Sequence, residues 1–266
     1  MRSRRLYDIR DSNSALHTLE ELTGVERSIW KNGPQHQAEF EYDEELVESI
    51  IESHGHFPDD YETWTFVFSH ITTSAEDCES IRREGILDLK RAYSCPDSEL
   101  RRFLTEKGVL ISLSEHALSY QKKLYDISYG RCPPASSGKA YARWSIGRKF
   151  FYDFTVCGFL YVKDYNTYLG SVHRRPEILS NIDDLLGLNL SREWELTHTP
   201  YEIVAEISGT DFLCENDTLC PKDRTLNYLL KAYYGAVNPP SEEIILLKND
   251  IQVLPEQIRE INPLTC

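Results

Sequence analysis

His70 and Thr72 close TWTFVFSHIT, a run of aromatic and β-branched residues that reads as a buried strand. Side chains alternate along a strand, so these two point to the same side. An imidazole can donate to a ribose hydroxyl, and a threonine hydroxyl can donate or accept. Ser74 follows at once and is placed to cap a helix over SAEDCESIRREGI, with Asp77 three residues on and Gly85 as its stop. The N–H groups at that helix start would suit a pyrophosphate. Together these features make a dinucleotide clamp without a GxGxxG loop. The plainer reading of the same residues is a core histidine beside an ordinary helix cap.

Other clusters carry competing chemistry. Glu202 and Glu206 in PYEIVAEISG lie four apart, so a strand puts both on one face, just after the REWE of residues 192–195. A charge-alternating amphipathic strand explains them more simply. RWSIGRKFFYDF mixes Arg143, Arg148 and Lys149 with aromatic rings. That mixture suits the bases of single-stranded nucleic acid, and it equally suits a packed helix with a snorkelling rim. His54 and His56 have the spacing of half a metal site, but they end a helix with no cysteine nearby and read as solvated loop histidines. The seven cysteines (78, 95, 132, 157, 214, 220 and 266) are odd in number, scattered, and free of any CxxC pair. They read as reduced structural thiols with no metal, and Cys214 and Cys220 flank the polar loop ENDTL as loop chemistry.

The elements that must position these groups follow from periodicity and punctuation. SALHTLEELTG and DEELVESIIESHGHF read as helices ending near Gly24 and Gly55, the second with Leu46, Val47, Ile50 and Ile51 on one side. They make residues 1–60 a helical accessory region, and the turn-rich HFPDDYE joins it to residues 61–266. Strands are expected over residues 64–71, 108–114, 155–162, 201–208 and 242–248. RTLNYLLKAYYG reads as a helix stopped at Gly235 and followed by the sharp NPP connection, and QVLPEQIREI as a short strand and a turn of helix. The irregular order of strands and helices predicts an α+β fold.

FSHITTSAEDCESIRREGIL resembles the first strand and helix of the ADP-ribosyltransferase superfamily, especially the poly-ADP-ribose polymerase type and the DarT-like toxins that modify nucleic acid. The resemblance implies a split β-sheet core, with NAD as substrate held by His70 and Thr72. EKGVLISLSEHALSY resembles the family's second strand and following helix, which would make Tyr120 the aromatic stacked on nicotinamide. Polymerase-type members place a tyrosine inside that strand where this chain has Leu110. Here Ser112-Leu113-Ser114 resembles instead the Ser-x-Ser strand of the cholera-type branch, which adds Ser112 to the cofactor residues.

NPPSEEIILLKNDIQVLPEQIREI is similar to the family's closing segment, a glutamate at the head of an aliphatic strand. That similarity gives Glu243 the catalytic role, with Glu202 as second choice. Breaking the nicotinamide–ribose bond builds positive charge on the ribose, and a fixed carboxylate can stabilise it through the 2′-hydroxyl. KRAY follows the first helix where related toxins carry a loop over NAD, so Arg91 becomes a diphosphate or acceptor contact. The family implies a toxin or phage-defence effector acting on an RNA or DNA base, with a neutralising antitoxin as partner. The alternatives are a protein side chain as acceptor, or a non-catalytic interaction protein of a defence or toxin–antitoxin system.

Bulk properties bound these readings. A chain of 266 residues can bury a full core. A formal net charge of −14 argues against a broad, sequence-independent grip on nucleic acid, but not against capture of one nucleotide in a locally basic cleft. No apolar run is long enough to span a bilayer, and no apolar segment follows the charged N-terminus, so a cytoplasmic protein without membrane contact is expected.

Overall fold

Asp11 accepts from the backbone N–H groups of Asn13 and Ser14, and Gly24 takes a left-handed φ of 73°. Capped at both ends, SNSALHTLEELT forms the first helix where periodicity expects one. In this computed structural model residues 5–32, 44–133, 136–165, 171–213 and 220–264 are described; the loop holding Cys214 lies outside them. The first half forms β1 (Leu6–Tyr7), α1 (Ser12–Thr23), α2 (Arg27–Asn32), α3 (Glu44–His54), β2 (Thr65–Ser74), α4 (Glu79–Glu84), α5 (Leu89–Ser94), α6 (Glu99–Glu106), β3 (Leu110–Ser112), β4 (Ala117–Tyr120) and β5 (Lys123–Asp126). There follow α7 (Gly138–Phe151), β6 (Cys157–Val162), α8 (Glu177–Leu186), α9 (Leu190–Glu195), β7 (Thr199–Ser208), α10 (Pro221–Val237), β8 (Glu242–Leu246) and β9 (Ile258–Pro263). This is an α+β protein whose strand pairs are mainly antiparallel.

Two compact units divide the chain. One comprises residues 1–70, 157–164 and 204–247, and the other residues 71–156, 165–203 and 248–266. The boundary expected near residue 60 therefore falls inside the first unit. Strands β2 and β7 each contribute residues to both.

In the first unit the strand order is β8-β6-β2-β7, with β1 pairing parallel to β2. Rings fill its core. Fully buried Phe66 lies 4.6 Å from both Tyr7 and Phe212 and 5.1 Å from Tyr228 of α10. Helix α10 does not stop at Gly235 but runs on to Val237. Gly235 sits inside the helix, where a Cβ would meet Ala15 of α1 at an ordinary contact distance of 3.6 Å.

In the second unit α7 packs on α8 around Tyr93, Leu104, Val109, Leu118, Ile127, Ile146, Phe150, Ile182 and Trp194. Here EKGVLISLSEHALSY departs from expectation. No helix follows the first strand; β3, β4 and β5 form an antiparallel sheet. Gln121 and Lys122 both adopt positive φ, 49° and 65°, between the paired Tyr120 and Lys123. That is the geometry of a two-residue hairpin turn, made here without the usual Asn-Gly or Asp-Gly signal. At the C-terminus Val253 bridges Ile86 and a 3-10 turn follows at Pro255–Gln257, but the chain then continues into strand β9 where more helix was expected.

Candidate functional site

Within the first unit, β6 is flanked by β2, which carries His70, and by β8, where Glu243 is the second residue. Register pairs Ser69 with Phe159 on one side of β6, and Tyr161 with Glu243 on the other. A bulge between Phe159 and Tyr161 shifts the second ladder, a device that re-aims side chains. Alternation sets Phe66, Phe68 and His70 on one face of β2, and Phe66 packs on Tyr228 of α10. Glu243 reaches the same helix, pairing with Lys231 with both side chains largely buried. His70 and Glu243 thus share a sheet and the α10 side of it.

The half-buried His70 ring places Nδ1 2.8 Å from the Cys157 carbonyl. A carbonyl only accepts, so Nδ1 carries the proton and Nε2 keeps its lone pair. Burial pulls the His70 pKa below its ordinary value, and the Cys157 bond offsets part of that. Nε2 would therefore accept from a ribose hydroxyl, the reverse of the donor role expected from sequence. Beside Glu243 the Tyr7 hydroxyl donates to the Tyr228 carbonyl at 2.9 Å, and burial with the Glu243 charge pushes its pKa well above the usual value.

The other sequence candidates, Glu206 apart, belong to the second unit. Thr72 is half-buried on β2. Ser112 and Tyr120 stand at opposite ends of the β3–β4 hairpin, where Ser112 pairs with Ala117 and Tyr120 with Lys123. Ser112 accepts from the Glu115 N–H, and the Tyr120 hydroxyl from Gln121. Arg91 bonds Asp88 at 2.8 Å and Asp250 at 2.7 Å. Glu202 accepts from the Tyr165 hydroxyl, and Glu206, of the first unit, is buried.

The helix expected to start at Ser74 begins only at Glu79. Ser74 ends its strand instead and accepts from the Glu76 and Cys78 N–H groups at 3.0 Å each, while Ala75 N–H donates to Glu99 at 2.9 Å. Of the N–H groups assigned to a pyrophosphate, those of Ala75, Glu76 and Cys78 already have partners on the chain. Gly85 does close the helix.

A second site was not apparent from sequence. An open cavity of about 480 Å³ in the second unit is lined by Glu76, Glu99, Arg102, Phe103, Leu196 and His198, among others. His198 stacks on Trp194 at 3.4 Å between ring centres, and Trp194 Nε1 donates to Thr73 at 2.8 Å. The signal was the i, i+4 spacing of Trp194 and His198 in REWELTH, invisible without knowing that a helix ends there. Burial lowers the His198 pKa from 6.5; its bond to the Trp194 carbonyl and the charges of Glu99 and Glu76 act the other way. A histidine whose folded pKa is depressed contributes stability in full above its unfolded pKa and loses it as pH falls through the folded one. Urea unfolding should therefore show stability declining as pH drops from 7 to 5. His198→Phe, which keeps a ring on Trp194, should flatten that decline; an unchanged slope would exclude His198 as a source.

Among the described residues no group of three or more His, Cys, Asp or Glu is arranged to hold a metal ion, and no helix is long and apolar enough to cross a membrane. No protein-family model, curated protein or solved structure matches the chain.

Proposed function

We propose that the chain is an ADP-ribosyltransferase that consumes NAD through an ADP-ribosyltransferase-like sheet in its first unit. The observation that carries this reading is that His70 and Glu243, far apart in sequence, flank one strand on the α10 side of a single sheet. In this role His70 Nε2 accepts from a ribose hydroxyl. Glu243 accepts from the 2′-hydroxyl as positive charge grows on the carbon losing nicotinamide. The leaving nicotinamide keeps the bonding pair, the acceptor supplies a new pair to that carbon, and its proton passes to a base. Tyr161, half-buried and paired with Glu243, takes the stacking role in place of Tyr120.

The nucleic-acid version of the acceptor draws support from α7 and the segments flanking it. Tyr129 and Tyr152, 41% and 60% exposed, stack at 4.9 Å, and Arg148 lies over Trp144 at 5.9 Å, with Arg143 exposed nearby. Rings interleaved with cations suit unstacked bases. Lys149 is engaged with Glu177. NAD, a base in RNA or DNA, a neutralising antitoxin and a cytoplasmic setting complete this reading, and the free thiols of Cys78, Cys95, Cys132, Cys157 and Cys220 suit that compartment.

A second reading has its own observation. The Lys231–Glu243 pair gives Glu243 a structural role, as a non-catalytic interaction protein would need. Release of labelled nicotinamide from NAD by the whole protein, with single-stranded oligonucleotides or protein extract as acceptor, separates the two. Glu243→Gln is expected to cut release about 100-fold or more. Undiminished release in that variant removes Glu243 from catalysis, and no release by the unaltered protein with either acceptor favours the second reading. Arg143→Glu with Arg148→Glu should abolish label on oligonucleotide and spare a protein acceptor.

A further inference from the structure

We propose that the cavity of the second unit binds a small organic ammonium ion with an apolar carbon body, independently of the transferase reading. Its floor is built from acceptors. Glu99 takes a hydrogen bond from Ser74 Oγ on one oxygen and from Ala75 N–H on the other, so its carboxylate is fixed in place. Those bonds leave lone pairs, because each carboxylate oxygen can accept two. His198 is held as firmly. Its Nδ1 lies 3.0 Å from the Trp194 carbonyl, which only accepts, and 2.9 Å from the Thr197 hydroxyl, whose own proton goes to the Glu193 and Trp194 carbonyls. Nδ1 therefore carries the ring proton, while stacking on Trp194 fixes the plane. Nε2 then faces Glu99 Oε2 across 3.7 Å, too long for a hydrogen bond. Both side chains are about nine-tenths buried, at 7% and 11% exposure.

Two fixed acceptors facing one another call for a donor that serves both. An ammonium group does so, with three N–H bonds and a charge that the carboxylate compensates. The charges around the cavity agree with a cation. Arg102 is paired with Glu76 and Lys107 with Glu193, so the rim cations are neutralised, while Glu99 and Glu106 add negative charge. The remaining wall is hydrocarbon and ring. Phe103 stands edge-on to Trp194 and His198, and Leu196 at the mouth is 68% exposed. A carbon chain or ring on the ligand would cover these surfaces. The volume of about 480 Å³ falls within the range of small-ligand pockets.

The test titrates 2-phenylethylammonium chloride into the whole protein without NAD, followed by tryptophan fluorescence and by the ring resonances of His198. Saturable binding is expected, with 2-phenylethanol, the same body without charge, at least tenfold weaker. Glu99→Gln should weaken binding tenfold or more. Glu106→Lys, an exposed change that leaves folding alone, should weaken it several-fold through charge reversal at the mouth. At matched folded fraction Glu243→Gln should bind the amine with unchanged affinity, which separates this site from NAD chemistry. No saturable response at millimolar amine, equal binding of the alcohol, or binding indifferent to both Glu99→Gln and Glu106→Lys would overturn the proposal.

Discussion

Replacing Gly85 by alanine is expected to destabilise the second unit by about 3–5 kcal/mol, from backbone strain and two displaced hydrogen bonds. Gly85 holds φ 81° and ψ −168°, a region that residues with a Cβ hardly enter. Occupying it costs such a residue about 1–3 kcal/mol. A Cβ would also stand 1.9 Å from the Val253 carbonyl, a backbone atom that cannot swing aside. That carbonyl accepts from Ile86 N–H at 2.9 Å, and Val253 N–H returns a bond to Ile86 at 3.1 Å. Both must shift, at roughly 1 kcal/mol each. Gly108→Ala is the control. Its φ of 72° is equally left-handed, but nothing lies within 4 Å of the added carbon. It should cost only the left-handed backbone term, about 1–2 kcal/mol. Equal losses for the two variants in denaturant unfolding would remove the Val253 contact from the account.

Gly85 also shows where sequence reading ends. A glycine after SIRRE marks a helix stop, and the helix stops there. Nothing local says that the same glycine lies against Val253, because that closeness comes from a bridge between distant segments. The same boundary runs through the whole chain. Periodic helices such as α1, α3 and α10, and aliphatic strands such as β6 and β8, were legible because burial of one face writes itself locally. Ser74 departs from its expected cap because a hydroxyl that caps a helix equally closes a turn, and only Glu99, brought by another helix, decides which N–H groups are already bonded. The β4–β5 turn escaped because Gln121 and Lys122 accept positive φ without being glycine or asparagine.

The candidate site divides along the same line. His70 and Glu243 could be singled out by residue type and position in their strands. Tyr161 and Lys231 could not, since one enters through the register of β6 against β8 and the other through a helix face meeting a strand end. His198 and Glu99 meet only when α9 and α6 line a common cavity. Partners across strands and helices are set by topology, which the local pattern does not encode.

Lys231→Met is expected to cost about 3–5 kcal/mol, because it leaves a largely buried carboxylate without its counter-charge. Lys231 and Glu243 are 11% and 15% exposed, so solvent screens the pair little. The carboxylate would then face Tyr7, whose hydroxyl is buried and committed to Tyr228. Glu243→Gln should be destabilising too, since it takes the carboxylate away from a largely buried ammonium. The double variant Lys231→Met with Glu243→Gln removes both charges, and it should be more stable than the sum of the single losses by about 2 kcal/mol. A coupling near zero, with the losses simply adding, would show that the two groups do not act as a pair. The cycle bears directly on function when nicotinamide release is measured on the same variants. Lys231→Met keeps the carboxylate, so a catalytic Glu243 predicts that this variant retains more turnover than Glu243→Gln at matched folded fraction. If the two lose turnover in proportion to their lost stability, Glu243 acts through the fold alone.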